Sequence, residues 1–169
     1  MTGELSRSER ALDMDENRLL KIYLDDHAAL ALIAREVVGR MLGSSAHEQH
    51  AELLAQLGGE LDDDRDRIAQ CLAERGARPS RVKSGAAWLA EKAGRLKLNG
   101  SVTAPSPLTP LVELEGLLLA LEGHRALWRA LERTASDGAR PDFGARADRV
   151  ERRCRQLEEL RLRAAEAVL

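Results

Sequence analysis

Aromatic side chains are nearly missing from this chain: Phe, Trp and Tyr make up 2% of its 169 residues. That argues against a sheet-rich core, which usually draws on aromatic and β-branched residues. Cysteine is scarce too, with Cys71 and Cys154 far apart and in no CxxC pair. They read as two small core residues in a reducing compartment, with a disulfide or a metal thiolate as the alternatives. An excess of one charge is also lacking. The net charge of −2 gives no global attraction to nucleic acid or to an acidic membrane.

Long apolar runs are absent. Nothing approaches the roughly 18 residues of a membrane span, and residues 1–16 hold no apolar stretch of signal-peptide type. No membrane partner and a cytoplasmic location are therefore expected. No Gly-rich phosphate loop, nucleophile elbow or Ser–His–Asp spacing occurs, so no catalytic signature stands out.

What is present is helical: 44% hydrophobic and 32% charged residues, dominated by Ala, Leu, Arg and Glu, which lose least on entering a helix. A chain of this size buries roughly 70% of its unfolded surface as one domain and needs no metal or disulfide to fold. Residues 1–15 show no periodic apolar face and are expected to form a flexible N-terminal arm, with the bundle domain over 16–169.

Within that domain the spacing predicts four long helices. The first covers 15–42, its seam running through Leu20, Leu24, His27, Ala31, Ala34, Val38 and Met41. A Ser45/Glu48 capping box opens a second helix over 46–75, closed by Gly76 and Pro79. Its seam holds His50, Leu54, Leu57, Leu61, Asp64, Ile68 and Cys71, and Gly58-Gly59 suggests a kink or a close helix–helix approach. The tight Gly43–Ser45 link makes these two helices antiparallel neighbours.

Residues 76–109 read as a long crossover containing a short helix over 84–96. Thr109 as N-cap and Pro110 at the first position start the third helix, which runs to 134 along Leu114, Leu117, Leu121, His124, Trp128 and Leu131. The fourth spans 145–168 and is expected to bury Val150, Cys154, Leu157, Ala164 and Val168. The Arg-rich outer face of that helix reads as salt-bridged, and the acidic run 60–64 as mostly solvated.

This layout, carried by 19–27, 48–54 and 111–131, resembles the ferritin-like superfamily, in particular a small bacterial stress-protein branch. The resemblance implies a four-helix bundle of two hairpins joined by a crossover. The metal-active members supply two Glu-x-x-His motifs. None exists here: Ala51 follows Glu48 by three, and Glu122 precedes His124 by two. The family's di-iron ligands thus have no counterpart, and the hemerythrin spacings are missing as well.

One polar grouping stands out. His27, Asp64 (or Glu60), His124 and Cys154 each lie within four residues of a helix midpoint, an offset of about 6 Å. Imidazole, carboxylate and thiolate are zinc or iron ligands. The layer therefore reads as a buried hydrogen-bonded network, as a set with an exposed member, or as a mid-bundle metal site. His47 and His50 read as a solvated helix end.

Two functions follow. The first is a non-catalytic bundle without cofactor that binds itself, as a dimer, or a protein partner, with a stress role implied by the resemblance alone. Broad apolar stripes over 111–121 and 30–38 favour self-association. The second is a metal-binding or redox enzyme using the mid-bundle layer.

Overall fold

The computed structural model describes residues 7–77, 106–135, 138 and 140–169, with the side chains of the first helix described from Asn17 onward. Among them are four α-helices, one 3-10 helix and no strand. The short helix expected over 84–96, and with it Trp88, lies outside the described residues.

Helix α1 is Arg7–Leu42. It starts eight residues earlier than its apolar period suggests, because a helix needs no buried face to extend through good helix formers. Of its expected seam, Leu24, Ala31, Ala34, Val38 and Met41 are fully buried, while Leu20 and His27 are half-buried. The link to the second helix differs from expectation. Ser44, not Ser45, is the cap, its hydroxyl accepting from the Ala46 N–H at 3.4 Å. A 3-10 helix, Ser45–His50, then leads into α2, Ala51–Ala73.

Gly76 ends α2 as expected. It adopts φ +67°, and Gly76 N–H and Ala77 N–H donate back to Ala73 and Leu72 carbonyls, the pairing of a Schellman closure. Of the two mid-helix glycines, Gly58 is the close approach: a Cβ there would stand 3.4 Å from Arg35 and 3.5 Å from Val38 on α1. Gly59 faces open space, and α2 runs through both without interruption.

Helix α3, Thr109–Thr134, starts from Leu108, so Thr109 is already helical and Pro110 sits in the first turn. All six residues of its expected seam are buried. Helix α4, Arg140–Val168, begins five residues before 145, since Pro141 is tolerated in a first turn, where its missing N–H has no intrahelical partner to lose. The early start lets Phe143 stack on Trp128, ring centroids 5.9 Å apart. Val150, Cys154 and Leu157 are buried as expected, while Ala164 and Val168 are only half-buried.

Helix α1 packs on α2 and α3, and α3 on α4. Charged pairs join α2 to α4: Glu60 with Arg153, Asp64 with Arg149 and Arg146, and Asp142 with Arg67. Numbers rise on one helix as they fall on the other, so the two are antiparallel, and α2 and α3 point the same way. The acidic run is thus solvated only in part: Asp63 is exposed and Asp62 is half-exposed beside Arg35 of α1, whereas Glu60 and Asp64 bind α4.

Candidate functional site

The four residues expected to share one layer fall into three separate settings. His27 and His124 do meet. A Cβ on Gly123 would stand 2.5 Å from Leu30 Cδ2, so the bare glycine lets α1 and α3 approach closely one residue before His124. There the two imidazole centroids lie 6.4 Å apart, edge to face, and Tyr23 packs on His27 at 4.6 Å.

His124 is fully buried. Neither of its ring nitrogens has a hydrogen-bond partner among the described residues, and His27 Nδ1 has none either. Burial is the main cause that lowers the His124 pKa to about 4, with the nearby His27 adding to it. Burial lowers His27 as well, while Asp26 opposes the change. Tyr23 is pushed upward by burial.

Asp64 faces the other way, toward α4. Trp128 Nε1 donates to its Oδ2 at 3.1 Å, and Arg146 and Arg149 donate to Oδ1 at 2.8 and 2.6 Å. Burial raises the Asp64 carboxyl, and Arg149, Trp128 and Arg146 pull against that rise. Both oxygens are engaged, so Asp64 has little left to offer a metal.

Cys154 is buried beside Glu122 and Arg125, and burial pushes its thiol up to about 11, with Glu122 adding to the rise. Burial thus disfavours the thiolate, the form that binds metals. Cys71 is likewise buried, free and raised, first by burial.

Of the four residues, the structure thus brings His27 and His124 together and sets Asp64 and Cys154 in surroundings of their own. Among the described residues no three His, Cys, Asp or Glu side chains stand close enough to hold one ion. Equal height along a bundle does not fix direction, because successive helical residues point about 100° apart.

A further polar centre went unforeseen. His47 is 2% exposed, not solvated, and its Nε2 lies 3.2 Å from Glu113 Oε2 on α3. This contact ties the 3-10 helix to the start of α3. The signal was the spacing of His47 and His50: in a 3-10 turn, residues three apart eclipse each other, so both face the same neighbours. His50 is lowered by burial, then by the like charges of His47 and Arg163.

No helix among the described residues is long and apolar enough to cross a membrane. No protein-family model, curated protein or solved structure matches the chain.

Proposed function

We propose that the chain is a non-catalytic, ferritin-like module that associates with a second copy of itself through α1. The observation that carries this reading is an exposed apolar stripe. Leu19, Ile22 and Tyr23, at helical spacing on one side of α1, are 62%, 50% and 37% exposed. Three large apolar side chains on one helical face are what a partner helix covers. The stripes over 111–121 and 30–38 contribute less than their composition suggests. Most of their apolar side chains are buried or half-buried against the bundle, with Leu119 left out at 77% exposure.

The ferritin-like part of the reading is supported by helix direction. Two hairpins whose inner helices, α2 and α3, run the same way need a connection spanning the bundle, and residues 74–108 are long enough to make one. A cytoplasmic setting goes with the lack of a long apolar run, and a stress role with the family resemblance alone. Sedimentation velocity tests the association: wild type runs as a dimer, and Leu19→Glu with Ile22→Glu runs as a monomer. A wild-type monomer at high concentration sinks the reading.

A second reading, a non-standard metal centre, is favoured by the two nitrogens of His124, which lie beside His27 and have no hydrogen-bond partner among the described residues. Two imidazoles supply half of a tetrahedral zinc set. Metal that co-purifies stoichiometrically and is lost in His124→Ala supports it. Sub-stoichiometric zinc and iron in every chelator-free preparation dispose of it.

A further inference from the structure

At the end of the bundle where the 3-10 helix, the start of α3 and the end of α4 meet, a cavity of about 250 Å³ opens. Its walls are largely apolar and include Pro110, Leu114, Leu160 and Val168. Four nitrogen-bearing side chains line the same space: His47, Gln49, His50 and Arg163. Among the described residues, the Glu113 carboxylate engages His47, at 3.2 Å. Arg163 has no carboxylate partner among the described residues, unlike Arg146, Arg149, Arg153 and Arg161 of the same helix.

The cavity thus joins an oily wall to a cation lacking its counter-ion. We infer that it binds a small monocarboxylate with a compact apolar body, the carboxylate on Arg163 and His50 and the body against Leu114 and Leu160. Arginine presents a planar fork matched to a carboxylate. Neutral His50 adds a donor rather than a second full charge, so a singly charged anion suits the site better than a multiply charged one. Size agrees: an apolar cavity of ~150 Å³ accepts benzene, so the larger space here takes a ring or short chain plus the carboxylate. The pocket is separate from the α1 stripe and from the His27–His124 pair.

Isothermal titration of the full chain with benzoate and octanoate, against benzyl alcohol, octanol and inorganic phosphate, tests this. The acids bind at one site, and the alcohols and phosphate bind about tenfold more weakly or not at all. Arg163→Gln, a change at an exposed position, weakens acid binding about tenfold, while circular dichroism stays unchanged. Leu160→Trp fills the cavity and abolishes binding with the charges left in place. Alcohols that match the acids, phosphate that matches octanoate, Arg163→Gln without effect, or no binding at millimolar acid would each overturn the inference.

Discussion

Asp64 and His124 sit within the same bundle interior, at 2% and 0% exposure, and are held in opposite ways. Asp64 receives hydrogen bonds from an indole and two guanidiniums contributed by α3 and α4. His124 has apolar neighbours, a second imidazole across the α1–α3 seam and no hydrogen bond among the described residues. A buried polar group is tolerated when its partners replace water and is costly when they do not. The first centre is therefore a cross-brace, joining α2 to α3 and α4. The second is a polar spot that the packing carries without using. Equal burial says nothing of role; the partners decide it.

The largest break in this contrast comes from Asp64→Ala. It leaves Arg146 and Arg149, both largely buried, with no acceptor at that point, and Trp128 Nε1 with none. Removing one partner of a buried charge network typically costs about 3–5 kcal/mol. Urea unfolding should show that loss with an unchanged slope. A loss below about 1 kcal/mol would mean that water reaches the two guanidiniums and the brace is ornamental.

Acid probes the other centre. The His124 imidazole is held at about 4 in the fold against 6.5 ordinarily. Between those values the unfolded chain binds a proton that the folded chain refuses, so stability is full above 6.5 and falls as pH drops toward 4. A shift of this size corresponds to about 3 kcal/mol. Urea midpoints between pH 7 and pH 4 should fall more steeply in the wild type than in His124→Leu, which lacks the group. Parallel curves would show that other groups cause the acid sensitivity.

His124→Leu also carries an expectation at neutral pH. Replacing a partnerless buried ring by an apolar side chain of similar reach removes a desolvation penalty, for a gain of about 1 kcal/mol. If the variant is instead less stable by that amount, the ring has a partner in solution, and the metal reading gains over the contrast drawn above.

The seams were legible because burial follows a period near 3.5. Leu114 through Leu131, and Leu54 through Cys71, are inside where the spacing puts them. Asp64 was legible as a seam residue but not in its direction, since its partners are Arg146 and Arg149, more than 80 residues away. The Arg-rich face looked self-paired for the same reason. Arg155 does pair with Glu151 one turn away, yet Arg153 reaches Glu60 across the bundle. His47 was missed because the 3-10 turn changes the rotation per residue, so the phase of α2 cannot be run backward through 45–50. Its partner, Glu113, lies 66 residues away.

The finest test of the contrast measures how far His27 and His124 sense each other. Burial is the first cause of the low His124 value and the His27 charge the second. In His27→Leu the second cause disappears while the first stays or grows, because the new side chain is apolar. The His124 titration, followed by NMR of the ring protons, should therefore move little and remain well below 6.5. A return to the ordinary histidine range would assign the depression to charge repulsion across the α1–α3 seam. His124 would then be an electrostatically coupled member of a pair, as Asp64 is of its network, and the line between the two centres would disappear.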